Sequence, residues 1–183
     1  MRQLFVLLSA LAAFVAIPAS AAGAIHLVPV DSAHWQAGAG LPDSRGQSAL
    51  GLVQTVVTAG HTEVGLLKGL SGTPAGALTE LAVIATSAPA GIDPCWKIYV
   101  NGVDGSVTVV HLMADSARTT IIQPPPTGDF APLIQWTWNF ALPADGTIDH
   151  VSFQVDAAQQ PPPVGDRVTF DGFAVNGAVV ANP

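Results

Sequence analysis

The chain has 183 residues, of which 10% are charged, and its acidic side chains outnumber its basic ones by 13 to 6. Proteins that bind nucleic acid or anionic membranes present a basic face, so this charge balance argues against both functions. The single cysteine, Cys95, excludes an internal disulfide.

The N-terminal segment has the features of a secretory signal peptide. Arg2 precedes an almost unbroken apolar run over Leu4–Ile17, and Ala19-Ser20-Ala21 offers a small-residue cleavage site. We therefore expect a signal peptide at 1–21 and one exported domain at 22–183, either extracellular or periplasmic.

Two alternatives to cleavage after Ala21 stay open: cleavage after Ala24, and retention of the segment as a membrane anchor. The apolar run is shorter than the ~20 residues that a membrane span needs. We therefore expect no membrane insertion after cleavage. Removal of Arg2 leaves 5 basic against 13 acidic side chains, a net charge of −8.

Alternating apolar and polar residues predict about nine or ten β-strands and no helix after the signal peptide. The predicted strands are Ile25–Val30, Ala49–Thr58, His61–Leu70, Leu78–Ser87, Trp96–Asn101, Ser106–Met113, Thr119–Gln123, Leu133–Leu142, Thr147–Asp156 and Arg167–Val175. Asp31–Gln47 reads as a long loop, and Asp93-Pro94 as a chain break. Short strands divided by turn clusters indicate an all-β fold, an antiparallel β-sandwich.

Leu78–Ser87 is the one ambiguous element. Its length, alanines and leucines are compatible with a helix. Its β-branched residues, Thr79, Val83, Ile84 and Thr86, favour a strand. Because the neighbouring segments are predicted strands, we expect Leu78–Ser87 to be a strand as well.

The last two predicted strands carry a specific pattern. It consists of Gly146, Ile148, Val151 and Phe153, followed by Val168, Phe170, Asp171, Phe173 and Val175. This pattern resembles the closing strands of the galactose-binding-like β-jelly rolls found in many carbohydrate-binding modules. The resemblance implies that the sandwich is a jelly roll and that the protein binds a glycan without catalysis.

The same resemblance implies a structural Ca²⁺ ion, because such modules often bind calcium through the aspartate of the last strand. Asp171 occupies that position. Asp31, at the end of the first strand, is a candidate second ligand. An exposed carboxylate, or one bonded to backbone N–H groups, is the alternative for Asp171.

Aromatic and amide side chains supply the candidate glycan site. Trp136 and Trp138 share a face with apolar neighbours and are expected in the core. The polar faces of their strand and of its neighbours hold Gln135, Asn139, Gln154 and Tyr99, which we expect to form one hydroxyl-binding surface. An ordinary solvated sheet face is the alternative.

Trp35 lies in the predicted loop and completes the candidate site as a ligand anchor. A plug over the end of the sandwich is the alternative for this side chain.

Catalytic motifs are missing from the sequence. The five histidines show neither HxH nor HExxH spacing, so catalytic zinc is not indicated. There is no GxSxG elbow. Cys95, beside Trp96, is expected to be a small buried apolar residue. We therefore expect a non-enzyme.

These observations favour a secreted, non-catalytic module that binds carbohydrate or a cell-surface glycan. A structural or adhesive surface protein with a protein partner is the alternative. A polysaccharide-active enzyme on the same scaffold is the third possibility.

Overall fold

The structure is a computed structural model, and it describes residues 24–40, 50–55, 60–87, 92–113, 116, 118–123, 133–157 and 167–180. The predicted signal peptide, residues 1–21, lies outside the described residues.

Twelve β-strands and one short 3-10 turn, Ala75–Ala77, make up the regular structure of these residues. The strands are β1 His26–Pro29, β2 His34–Ala37, β3 Leu50–Thr55, β4 Gly60–Lys68, β5 Glu80–Ser87, β6 Ile92–Asn101, β7 Val107–Leu112, β8 Arg118–Gln123, β9 Leu133–Asn139, β10 Thr147–Ala157, β11 Arg167–Val175 and β12 Ala178–Val179. Each of the ten predicted strands has a counterpart. The predicted number was too low because the short strands β2 and β12 were not recognised.

Two antiparallel sheets pack face to face as a sandwich. The five-stranded sheet has the order β1-β4-β10-β6-β7, and the other has the order β2-β3-β11-β5-β9-β8, with β12 paired to β11. The chain changes sheet repeatedly between β3 and β11. The finer assignment as a jelly roll stays a prediction. The predicted all-β antiparallel sandwich is confirmed.

Two prolines lie within strands of the five-stranded sheet. Pro29 is in β1, which is an edge strand. Pro94 is in β6, so the predicted chain break at Asp93-Pro94 is wrong. Pro94 pairs with β10, whereas β7 pairs with β6 only from Trp96 onward. Among the described residues, one side of β6 therefore has no strand that needs a hydrogen bond from Pro94.

An aromatic cluster joins the two sheets. The ring of Phe153 lies 4.8 Å from Trp96, 4.8 Å from Phe170 and 5.2 Å from Phe173, measured between centroids. Trp96 and Phe153 come from the five-stranded sheet, and the other two come from β11. Burying one large apolar side chain contributes about 1.5–3 kcal/mol, so this cluster holds the sandwich together.

The predicted core tryptophans of β9 are buried, as expected. Trp138 donates its indole N–H to the carbonyl of Met113 at 3.1 Å. The Arg118 guanidinium lies 5.7 Å and 5.8 Å from the ring centroids of Trp136 and Trp138, and 3.3 Å from Asp93 of β6. Arg118 thus links the edge of one sheet to the other sheet through cation–π and ionic contacts.

Candidate metal centre

Polar side chains are concentrated on the outer face of the five-stranded sheet, the face turned away from the other sheet. In β6, the buried core residues Trp96 and Ile98 alternate with Cys95, Lys97 and Tyr99. Successive side chains of a strand point to opposite faces, so Cys95 points away from the core.

The strand register brings His61 of β4 and Cys95 of β6 toward each other across β10. His61 pairs with Asp156, and Cys95 pairs with Gln154. Asp156 and Gln154 are alternate residues of β10. All four side chains therefore share the outer face.

His111 of β7 approaches Cys95 from the opposite side. It pairs with Lys97, which lies two residues beyond Cys95 on the same face of β6. The rings of His111 and His61 are in contact, with centroids 5.0 Å apart and planes inclined at 56°. The two imidazoles therefore meet over the strands that carry Cys95 and Gln154.

These contacts assemble two imidazoles and one thiol. A ring nitrogen of His61, a ring nitrogen of His111 and the Sγ of Cys95 all lie within 4.8 Å of one another. Metal–ligand bonds of about 2.0–2.3 Å would hold such atoms roughly 3.5 Å apart, so binding requires a contraction of about 1 Å. The His61 side chain is 45% exposed, which leaves its ring room to rotate.

Among the described residues, this is the only group of three or more His, Cys, Asp or Glu side chains whose ligand atoms converge in this way. An imidazole nitrogen and a thiolate sulfur are ligands for zinc and copper, and calcium and magnesium prefer oxygen. The residues present therefore fit a transition metal.

The Cys95 thiol is 1% exposed although it lies on the outer face. Burial raises the pKa of this thiol to about 12, and the nearby carboxylate of Asp156 acts in the same direction, while Lys97 opposes them. The metal-free thiol is therefore protonated at neutral pH. A metal ion must displace this proton when it binds.

Polar groups beside the three ligands can support a bound ion. Asp156 Oδ1 lies 3.8 Å from His61 Nδ1, a carboxylate position that helps to orient a ligating imidazole. Gln154, opposite Cys95, is 8% exposed and donates its amide to Ser152 Oγ at 3.2 Å. Its Oε1 is buried with no hydrogen-bond partner in the described part of the chain. That oxygen can accept a hydrogen bond from a metal-bound water.

The predicted glycan-binding residues do not share one surface. Tyr99 and Gln154 belong to the five-stranded sheet, whereas Gln135 and Asn139 lie on β9 in the other sheet. The prediction of a common face is therefore wrong. Its cause is that the connection from β9 to β10 crosses between sheets and does not form a hairpin within one sheet.

Tyr99 is half-buried and forms an aromatic pair on the outer face. Its ring stacks on His150 with centroids 3.9 Å apart and planes inclined at 19°. His150 Nδ1 lies 2.7 Å from an oxygen of Asp149. The stacked rings of Tyr99 and His150 give this part of the sheet an aromatic surface.

Trp35 lies in strand β2 and not at a loop tip, so the prediction of a loop for its whole segment is wrong. Its half-buried ring packs edge-on against Phe173, with centroids 6.3 Å apart. Trp35 therefore packs against one side of the core, and its role as a ligand anchor stays a prediction.

The predicted calcium ligands occupy separate elements. Asp31 lies in the turn after β1 with φ = 53°. Asp171 lies in β11, and its carboxylate accepts the backbone N–H of Gly172 at 2.7 Å. In the described residues neither joins a converging group of three His, Cys, Asp or Glu ligands. A calcium site at these residues stays a prediction.

The sequence reasoning missed His61, Cys95 and His111 as a group, because only the pairing of four strands brings them together. One signal was present. Cys95 lies two residues before Lys97 and four before Tyr99 in the same strand, so its side chain belongs to their polar face and not to the face of Trp96.

No helix in the described part of the chain is long and apolar enough to span a bilayer. The comparisons with known proteins found no matching family model, curated protein or solved structure. The resemblance to galactose-binding-like jelly rolls therefore stays a prediction.

Proposed function

We propose that the protein is an exported metal-binding β-sandwich in which His61, Cys95 and His111 bind one transition-metal ion. The observation that carries this proposal is the convergence of two ring nitrogens and one sulfur within 4.8 Å. Such a mixed nitrogen and sulfur set is typical of zinc and copper sites.

The scaffold supports binding without a large rearrangement. The three ligands lie on β4, β6 and β7. Strand β10 pairs with β4, with a register shift between Phe153 and Gln154, and also with β6, while β6 pairs directly with β7. The backbone positions are thus fixed before the metal arrives, and only side-chain rotation is needed. Three protein ligands leave a coordination position for water or a small ligand, as in zinc sites that exchange ligands.

Export and a metal-bound thiol are compatible. The predicted signal peptide at 1–21 would deliver the chain to an oxidising compartment, where free thiols tend to form disulfides. Cys95 has no internal partner and is almost fully buried. A bound metal ion would occupy the sulfur and protect it from oxidation.

The direct test is a competition titration of the purified protein with Zn²⁺ and a chromophoric chelator. We expect one equivalent of zinc to bind. Cys95→Ser should weaken binding by roughly 100-fold, because an alcohol is a poor substitute for a thiolate ligand. His111→Ala should weaken it to a similar degree.

His26→Ala is the matched control. His26 lies on β1 of the same sheet, and its ring donates a hydrogen bond to the Ala24 carbonyl at 2.7 Å. This variant should bind zinc as tightly as the unmodified protein. Absence of binding, or equal affinity in Cys95→Ser, would refute the proposal.

Glycan binding is the second candidate function, and the half-exposed Tyr99–His150 stack is the observation that favours it. Thermal melts with a panel of polysaccharides test it, because a ligand that binds only the folded state raises the melting temperature. We expect Tyr99→Ala to abolish any such shift. If no polysaccharide shifts the melt, the alternative of a protein partner gains support.

A further inference from the structure

We infer that the metal centre formed by His61, Cys95 and His111 is a copper site that cycles between Cu(II) and Cu(I). This inference rests on the proposed metal-binding function and adds to it the identity of the metal and a one-electron reaction.

The donor set favours copper over zinc. Among divalent first-row ions copper binds nitrogen and sulfur sites most tightly, and the thiolate of Cys95 suits Cu(I) as well. Structural zinc sites usually have four protein ligands in a tetrahedron. Within the described residues, no fourth His, Cys, Asp or Glu ligand atom joins the cluster. Two imidazoles and one thiolate form the trigonal set that is characteristic of copper electron-transfer sites.

The sheet restrains the geometry in both oxidation states. Cu(II) prefers a tetragonal arrangement, whereas Cu(I) accepts three ligands. Each protein ligand here is anchored to a different strand, and the strands are held by paired neighbours on the ligand-bearing segments. The backbone positions of the ligands therefore stay fixed when the charge on copper changes. A small rearrangement favours rapid electron transfer.

The single cysteine stabilises the oxidised form. Cu(II) ordinarily oxidises thiolates in pairs, because two sulfurs are needed to form a disulfide. This chain has one cysteine, and its side chain is 1% exposed. A second thiolate from another molecule cannot reach the sulfur, so the Cu(II)–thiolate bond persists.

Electrons can reach the copper through His61, because 45% of its side chain is exposed while Cys95 is buried. One electron from an external one-electron donor converts Cu(II)–thiolate to Cu(I)–thiolate. The same electron leaves to an external one-electron acceptor. No bond is formed or broken, and no proton moves in either direction.

The test is to add one equivalent of Cu(II) to the purified, metal-free protein. We expect an intense visible absorption from charge transfer between the Cys95 thiolate and Cu(II). Ascorbate should bleach this band, and ferricyanide should restore it, over repeated cycles without loss of protein thiol. Cys95→Ser should abolish the band, and His26→Ala should leave it unchanged.

Two results would overturn the copper inference. One is the absence of the charge-transfer band, and the other is rapid reduction of Cu(II) with formation of a disulfide-linked dimer. If zinc still binds through the same three residues, the metal-binding function stands and only the redox inference fails. If neither ion binds, both fail.

Discussion

The buried thiol of Cys95 should make the metal-free protein less stable as the pH rises above 9. Burial raises the pKa of this thiol to about 12 from an ordinary value of 9.0. Between these two pH values the folded chain retains a proton that the unfolded chain loses. The free energy of unfolding therefore falls by about 1.4 kcal/mol per pH unit in this range.

The magnitude follows from the two pKa values of the thiol. Between pH 8 and pH 10 the Cys95 thiol should account for a loss of about 1.4 kcal/mol, of which about 1 kcal/mol falls above pH 9. Urea denaturation in the presence of EDTA measures the free energy of unfolding at both pH values. Cys95→Ala is the matched variant, because it retains every other group that titrates.

The comparison uses the change between the two pH values, so a constant effect of Cys95→Ala on stability cancels. We expect the unmodified protein to lose about 1.4 kcal/mol more than the variant. Equal losses would show that the Cys95 thiol does not cause this loss of stability. Thiolate absorbance in the folded protein that titrates near pH 9 would show the same.

Three further predictions concern the scaffold, and each is measured as a free energy of unfolding by urea denaturation. A Cβ at Gly146 would lie 2.5 Å from Val100 Cγ1, so Gly146→Ala should lower the free energy of unfolding by about 1–3 kcal/mol. In the control Gly76→Ala the new Cβ would lie 3.5 Å from its nearest neighbour, so this variant should lose less than about 1 kcal/mol. Equal losses in the two variants would contradict the predicted clash. The Asn176 side chain accepts the backbone N–H groups of Thr79 and Glu80 and donates to the Ala77 carbonyl, next to the start of β5. Asn176→Gly tolerates the φ of 48° but loses these bonds, so it should lower the free energy of unfolding by about 1–3 kcal/mol. An unchanged denaturation midpoint would show that these bonds contribute nothing. Phe153→Ala removes the central ring of the aromatic cluster and should lower the free energy of unfolding by about 3–5 kcal/mol. A decrease below about 1 kcal/mol would contradict the central role of this ring.

Strand alternation predicted the elements well where one face is buried. In β9, Trp136 and Trp138 alternate with Gln135 and Thr137, and the structure buries the tryptophans as expected. Alternation failed for β2, because this four-residue edge strand buries little besides Trp35. Short edge strands carry too few core residues to produce a recognisable period.

Sheet membership was the information that local patterns lacked. Gln135 and Gln154 occupy polar positions in consecutive strands, which suggested one common face. The chain crosses from one sheet to the other between β9 and β10, so the two amides lie in different sheets. Alternation defines the two faces of a strand but does not identify the sheet to which the strand belongs.

The metal centre illustrates the same limit at longer range. His61, Cys95 and His111 show no spacing typical of metal ligands, because each comes from a different strand. Their proximity depends on the register of β4, β10, β6 and β7. A shift of one residue in any of these pairings would move a ligand to the core face.

The position of a bound metal ion would show whether His61, Cys95 and His111 are its ligands. Crystals of the purified protein, grown with one equivalent of Zn²⁺, would show the ion in an anomalous difference map recorded at the zinc absorption edge. We expect a single strong peak within about 2.0–2.3 Å of Cys95 Sγ and of one ring nitrogen each of His61 and His111. A map without a peak at this position, or with the ion bound only elsewhere, would show that these three residues do not form a metal centre.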